Sequence, residues 1–305
     1  MMSGNSFIFN FNMKDFIKYI TIVTVAAFCT YYALVVCAIC YMQMGDLSAP
    51  AGVSIAVFGN SIGECAVNDN ILSDSRNYCA SGLNYDMEEE YIKAVLKQNP
   101  QIKTAVLCFD VYQYASYPNR DIRHHSSSQY AFFGGFIAFD GSRIFTKYPL
   151  KELIKFTIGS NLLIASLKTQ YGYRRLVRNT LPKLTPCQML KDIPYAKAKD
   201  ESSYNLDALP RIIHFCRQKG VDVVLMATPM YHLDMWYGKS GYYEYLDTLD
   251  ESVQIADYSN FLMPSDDCYG DVIHLNYKGA KIFSTYLKEH GLQAVPIKEY
   301  LKYRR

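Results

Sequence analysis

A run of 27 residues without a charge, from Tyr19 to Gly45, restricts what this chain can fold into more than any other feature of its sequence. Roughly 20 consecutive apolar residues are enough to cross the hydrocarbon core of a bilayer as a helix. Tyr31, Tyr32 and Tyr41 lie within the run, and tyrosine favours the membrane interface. We therefore predict an uncleaved transmembrane signal anchor over residues 19–45.

Two alternatives to an anchor are a cleaved signal peptide and a buried core helix. The run is longer than the apolar part of a typical signal peptide, and no small-x-small cleavage site follows it. Lys14 and Lys18 precede the run, whereas the first charge after it is Asp46. The positive-inside rule then predicts a single-pass membrane protein with a cytoplasmic tail, 1–18, and an extracytoplasmic domain, 46–305, on the periplasmic or cell-surface side.

The composition indicates a folded protein with no strong attraction for nucleic acid. Half of the 305 residues are hydrophobic, a fifth are charged, and the net charge is only +2. Nine cysteines are present, and Cys37 and Cys40 form a C-x-x-C inside the apolar run. None of the nine has the spacing of a disulfide scaffold or a metal site. We predict no cofactor and no bound metal, and the sequence leaves protein partners open.

Strand-like and helix-like segments alternate along the remainder of the chain. Apolar, β-branched segments predict strands at 53–58, 76–79, 103–109, 221–227 and 253–258. Amphipathic segments predict helices at 62–67, 87–98, 206–219, 241–251 and 277–290. This alternation is typical of an α/β fold with a three-layer, doubly wound parallel sheet.

An insertion over about 112–205 interrupts the alternation. It is rich in aromatic residues, and its Lys168–Lys183 stretch contains five basic residues and no acidic one. Such a stretch is typical of a solvated face, but it could also contact phospholipid head groups or an anionic glycan. The aromatic residues suit sugar stacking, or a lid that packs on the core.

Ser61 lies just beyond the first predicted strand, Val53–Phe58, after the turn formed by Gly59 and Asn60. In open α/β sheets, ligands bind outside the carboxyl ends of the strands. The serine is therefore a candidate nucleophile, although a helix N-cap is an equally good interpretation of a serine in this position.

A serine nucleophile needs a base, which in turn needs an orienting carboxylate. Among six histidines, His274 is the best candidate base, because it lies in a loop before the last helix with Asp271 three residues earlier. His232 follows the strand at 221–227 and is the second candidate for lining a site. The other four suit solvated or structural positions.

With these residues in place, the chain resembles the SGNH/GDSL hydrolase family, as a divergent, membrane-anchored member. Gly59-Asn60-Ser61 resembles the family's nucleophile block, with asparagine where aspartate is usual. Ser81-Gly82 resembles the second block, and Asp271 with His274 the last. The resemblance covers about Val53–His290 apart from the insertion, and it implies the family's flavodoxin-like fold, a Ser61–His274–Asp271 triad and an oxyanion hole formed by Ser61 and Gly82.

The family's third block, with an asparagine that adds an oxyanion donor, is missing. Phe109-Asp110-Val111-Tyr112-Gln113 follows the third strand instead. An ionised Asp110 cannot donate a hydrogen bond, so Gln113 or Tyr112 is the candidate replacement.

Three functions follow from the resemblance. The first is a membrane-anchored serine hydrolase, a carboxylesterase-like enzyme that removes O-acyl groups from an extracytoplasmic glycan. The second is an O-acyltransferase of envelope polysaccharide that uses the same triad. The third is a catalytically degenerate protein that binds glycan or acts as a scaffold. The expected partners are thus an acylated glycan or another ester, and the membrane through residues 19–45.

Overall fold

Six short strands form a single sheet at the centre of the protein. A computed structural model describes residues 12–43, 47–80, 83, 85–116, 206–231, 239–271 and 273–304. The strands are β1 (Ile55–Phe58), β2 (Ser75–Asn77), β3 (Thr104–Cys108), β4 (Asp222–Ala227), β5 (Gln254–Asp257) and β6 (Val295–Pro296), in the spatial order β2-β1-β3-β4-β5-β6. The predicted insertion lies outside the described residues except at its start.

The first five strands are parallel, whereas β6 pairs with β5 in the antiparallel direction. The predicted α/β class is therefore confirmed, but an entirely parallel sheet is wrong at this edge. Strands β1, β3 and β4 are almost completely buried, as expected where both faces of a parallel sheet are covered. Pro296 is compatible with β6 because an edge strand need not donate every backbone hydrogen bond.

Helices flank the sheet and connect its strands. They are α1 (Met13–Gln43), α2 (Ser61–Ala66), α3 (Tyr85–Gln98), α4 (Val111–Ser116), α5 (Ala208–Gln218), α6 (Lys239–Asp247), α7 (Tyr277–His290) and α8 (Ile297–Lys302), with a 3₁₀ turn at Asp266–Cys268. All predicted helices are present, and α7 has the predicted bounds. The sequence did not predict α4, α8 or β6.

Helix α1 contains one segment, Met13–Leu34, that is long and apolar enough to cross a membrane. Most of this segment is exposed, whereas Tyr31, near its end, packs half-buried against the hydrophobic core. The helix begins at Met13 rather than at the predicted residue 19, so it includes Lys14 and Lys18. A candidate N-terminal membrane helix is thus present, while its orientation stays a prediction.

The segment after α1 is attached to the edge of the sheet where the parallel strands begin, which we call the amino edge. The backbone N–H of Leu47 donates to Gln98 Oε1 at 2.9 Å, and that of Ala49 donates to Asn99 Oδ1 at 2.6 Å. Both acceptors lie where α3 ends, just before β3. The opposite, carboxyl edge carries Ser61.

Candidate active site

Ser61 is the first residue of α2, directly after the turn that ends β1. Gly59 adopts φ +149°, and a Cβ on it would lie 2.7 Å from Cys108 Cβ, so glycine is required there. The side chain of Asn60 accepts a hydrogen bond from Ile62 N–H at 2.9 Å and caps the helix. The N-cap is therefore Asn60, and the interpretation of Ser61 as the cap is wrong.

The far end of α2 is held by two polar side chains that the sequence analysis did not single out. Asn77 Nδ2 donates to the carbonyls of Gly63, at 3.2 Å, and Val67, at 2.6 Å. Ser284 on α7 accepts from Asn68 N–H at 2.8 Å. Because α7 follows the His274 loop, this contact fixes the two halves of the candidate site relative to each other.

The loop that carries His274 is closed by its own hydrogen bonds. Asp271 Oδ1 accepts from the backbone N–H groups of Ile273, at 2.9 Å, and His274, at 2.8 Å, and His274 O accepts from Gly270 N–H at 2.8 Å. Asn276 caps α7 by accepting from Lys278 and Gly279 N–H. An asparagine just before a helical pattern is a sequence signal that could have identified this cap.

The structure brings Ser61, His274 and Asp271 together at the carboxyl edge of the sheet. His274 Nε2 lies 2.8 Å from Ser61 Oγ, and His274 Nδ1 lies 2.6 Å from Asp271 Oδ2. Ser61 is half-buried, and the His274 and Asp271 side chains are 15% and 28% exposed. The arrangement is thus a continuous hydrogen-bonded chain from a hydroxyl through an imidazole to a carboxylate, partly open to solvent.

The environment of Asp271 favours its charged form. Burial by itself raises the pKa of this carboxyl, but hydrogen bonds from the His274 ring and from the backbone of Ile273 and His274 outweigh burial and lower the pKa below its ordinary value. Asp271 is therefore ionised at neutral pH, as an orienting partner for an imidazole has to be.

The oxyanion-hole residues are described only in part. Gly82 lies outside the described residues, as do Ser81 and His232. Gln113 is buried, and its Oε1 accepts from Asp110 N–H at 3.0 Å and from the Tyr85 hydroxyl at 3.2 Å. Asp110 Oδ1 in turn accepts from Gln113 N–H at 2.8 Å.

Asp110 and Gln113 thus form a reciprocal capping box at the start of α4, which the D-x-x-Q spacing could have predicted. The oxyanion role of Gln113 stays a prediction. Within the described part of the chain, no group of three or more His, Cys, Asp or Glu side chains could hold a metal ion.

One protein-family model matches residues 170–294, less than half of the chain, and carries no description of a function. No curated protein matches the sequence. A solved structure described as a "putative platelet activating factor" from Streptococcus pneumoniae is similar with a TM-score of 0.42 at 12% identity, over 90% of this chain and 98% of that one. Proposals about function therefore depend on the geometry of Ser61, His274 and Asp271.

Proposed function

We propose that this protein is a membrane-anchored serine esterase of the SGNH type that hydrolyses O-acyl esters of an extracytoplasmic glycan. The observation that supports the proposal most strongly is the hydrogen-bonded chain of Ser61, His274 and Asp271, with distances of 2.8 and 2.6 Å. These are the contacts that a serine nucleophile, its base and the base's orienting group need.

In the proposed mechanism, Ser61 Oγ attacks the ester carbonyl while His274 Nε2 takes the hydroxyl proton. Asp271 accepts the hydrogen bond from Nδ1–H and stabilises the imidazolium that forms. The tetrahedral intermediate collapses, and the leaving alcohol takes the proton from His274. Water, deprotonated by His274, then attacks the acyl-enzyme, which releases the carboxylic acid and restores Ser61.

Negative charge on the carbonyl oxygen needs hydrogen-bond donors. We assign this role to the backbone N–H groups of Ser61 and Gly82. Ser61 suits it because it begins α2, where the helix dipole favours negative charge close to the attacking hydroxyl. Gln113 is the remaining candidate, through its side-chain amide nitrogen, since its capping contacts use Oε1.

A labelling experiment tests the nucleophile. Full-length protein in detergent micelles is treated with a serine-directed fluorophosphonate and assayed with p-nitrophenyl acetate. We expect labelling and turnover in the wild type and in Ser252→Ala, an exposed serine in the turn before β5. Both should be lost in Ser61→Ala. Labelling that survives in Ser61→Ala, or is absent from the wild type, contradicts the proposal and favours a degenerate binding protein.

The carboxylate is tested by Asp271→Asn. The asparagine Oδ1 can still accept the backbone hydrogen bonds of the loop, but it no longer stabilises an imidazolium. We expect turnover to fall by about 10³–10⁴-fold while far-ultraviolet circular dichroism stays unchanged. Turnover within tenfold of the wild type would remove Asp271 from the mechanism.

The identity of the product shows whether the enzyme catalyses hydrolysis or acyl transfer. With a polyol acceptor present, an esterase releases free carboxylic acid, whereas a transferase forms the acylated polyol. Free acid as the main product supports the proposal, and acylated polyol overturns it in favour of the O-acyltransferase alternative.

A further inference from the structure

The side chain of Tyr85 connects two segments at the carboxyl edge of the sheet. Tyr85 is the first residue of α3, three positions after Gly82 in the chain, and its side chain is buried. Its hydroxyl donates to Cys108 O, at the end of β3, at 3.1 Å and to Gln113 Oε1, in α4, at 3.2 Å. The mechanism proposed above gives this hydroxyl no role.

Two donors fix the orientation of the Gln113 side-chain amide. The backbone N–H of Asp110 donates to Gln113 Oε1 at 3.0 Å. Because a backbone N–H cannot accept a hydrogen bond, the amide atom that faces it has to be the oxygen. The Tyr85 hydroxyl is the second donor to this oxygen, and burial raises the pKa of Tyr85 well above its ordinary value, so the hydroxyl stays protonated at neutral pH. With Oε1 held by two donors, the position of Nε2 is defined as well.

The register of the sheet places this amide at the same edge as the candidate nucleophile. Strands β1 and β3 are paired, with Phe58 opposite Leu107. Ser61 lies three residues beyond Phe58, and Asp110 lies three residues beyond Leu107. The two residues thus occupy matching positions just past the ends of neighbouring strands. Gln113 follows in the first turn of α4.

An amide N–H group suits the chemistry that this place needs. Attack by Ser61 creates negative charge on the carbonyl oxygen, and donors that are oriented before the reaction stabilise this charge most effectively. The carboxylate of Asp110 cannot act as such a donor when it is ionised. A glutamine amide is uncharged and carries two N–H bonds, so Gln113 combines donor chemistry with a fixed orientation.

We propose that Tyr85 is a positioning residue, whose hydrogen bond to Oε1 holds the Gln113 amide with Nε2 directed at the oxyanion formed when Ser61 attacks. Gln113 then acts as a third oxyanion donor, beside the backbone N–H groups of Ser61 and Gly82. This inference rests on the proposed esterase function and adds to it a donor and the residue that orients the donor. Tyr85 itself contacts no reacting atom.

Two substitutions separate the donor from the residue that orients it, with full-length protein in detergent micelles and p-nitrophenyl acetate as substrate. Gln113→Glu keeps an oxygen for the two donors but removes the N–H groups. We expect its kcat to fall by about 10²–10³-fold with little change in KM. Tyr85→Phe leaves the amide in place but loosens it, so we expect a smaller loss of kcat, about 10-fold. Far-ultraviolet circular dichroism checks that both variants are folded.

The double variant shows whether Tyr85 acts through Gln113. If it does, Tyr85→Phe causes no further loss of kcat in the Gln113→Glu background. An equal loss in both backgrounds would overturn the positioning role, because a merely structural effect of Tyr85→Phe does not depend on the amide.

Tyr78→Phe is the matched control. Tyr78 is also buried, and its hydroxyl donates to Leu47 O at 2.7 Å, so this change likewise removes a buried hydrogen bond and should leave kcat unchanged. Equal losses of kcat in Tyr78→Phe and Tyr85→Phe would overturn the inference.

Failure of this inference differs from failure of the esterase proposal. Ser61-dependent turnover in the wild type, together with undiminished turnover in Gln113→Glu, would overturn the third donor and leave the esterase proposal intact. Absence of Ser61-dependent turnover from the wild type would overturn both.

Discussion

Glu88 shows how far a single residue can depart from what its sequence position suggests. It is one of three consecutive glutamates near the start of α3, where an exposed carboxylate would interact favourably with the helix dipole. Instead it is only 2% exposed, and among the described residues its Oε1 has no hydrogen-bond partner. Burial raises its pKa from 4.5 to about 8, so the side chain is mostly neutral at pH 7.

The raised pKa of Glu88 makes the stability of the protein depend on pH. The folded state keeps a proton that the unfolded state loses above pH 4.5, so this contribution is complete below pH 4.5 and is lost as the pH rises through 8. At about 1.4 kcal/mol per pH unit, the loss across this window is up to about 5 kcal/mol.

We expect Glu88→Gln to flatten this dependence, because glutamine has no proton to lose. Urea unfolding of the full chain in micelles at pH 5.5 and 8.5 measures it. The control is Glu289→Gln, an exposed residue near the end of α7, which should unfold with the pH dependence of the wild type. A pH dependence in Glu88→Gln equal to that of the wild type would show that Glu88 is not the titrating group.

At the scale of elements, the position of helix α2 depends on its close approach to the sheet. A Cβ on Gly63 would lie 2.4 Å from Cys108 Sγ and 2.6 Å from Cys79 Sγ. Both cysteines are buried, and the close packing of a protein interior leaves their sulfur atoms little room to move. Any side chain at Gly63 therefore has to push α2 outward, and Ser61 with it.

Gly63→Ala should accordingly destabilise the protein by about 1–3 kcal/mol and slow the labelling of Ser61 by fluorophosphonate. Gly52→Ala is the matched control, because a Cβ there meets no atom within 4 Å and no change is expected. Thermal unfolding and labelling rates measure the two effects. Unchanged stability in Gly63→Ala would mean that the helix adjusts without cost.

The sequence predicts elements well where a periodic pattern is long and ends in a distinct signal. Helix α7 is the best example: its apolar face repeats over 14 residues, and Gly291, at φ +69°, ends it. Strand β6 has only two residues, one of them proline, so no periodicity could reveal it. Its pairing depends on β5 alone, which is a tertiary contact.

The sequence likewise predicts only part of the candidate site. Ser61, Asp271 and His274 were identified because their residue types and order resemble a family pattern, and the structure brings them together. Asn77 and Ser284 were not identified, because their role is to bind backbone groups distant in sequence. Ser284 and Asn68, for instance, are 216 residues apart. No local pattern encodes such a contact.

At the scale of the whole molecule, α1 is a candidate membrane anchor for the rest of the chain. Most of its apolar segment is exposed, which is unfavourable in water and favourable in lipid, and only Tyr31 and Tyr32 near its end are half-buried. We expect the protein to stay in the membrane fraction after an alkaline carbonate wash and to be released only by detergent.

The double variant Val25→Arg/Phe28→Arg should move the protein to the soluble fraction, since both residues are exposed in the interior of the apolar segment and each arginine near the centre of a membrane helix costs about 2.5–3.5 kcal/mol. Replacement of the same residues by alanine is the control and should leave the protein in the membrane. Recovery of the wild type in the carbonate supernatant would contradict the anchor.

Ser61 and His274 are 213 positions apart in the chain, yet their side chains are in contact. During synthesis the ribosome therefore adds Ser61 long before it adds His274. In the proposed mechanism, a growing chain that still lacks His274 cannot hydrolyse an ester. That mechanism requires α7 and the loop before it to dock against α2, so hydrolysis would begin only when synthesis of the chain is almost complete.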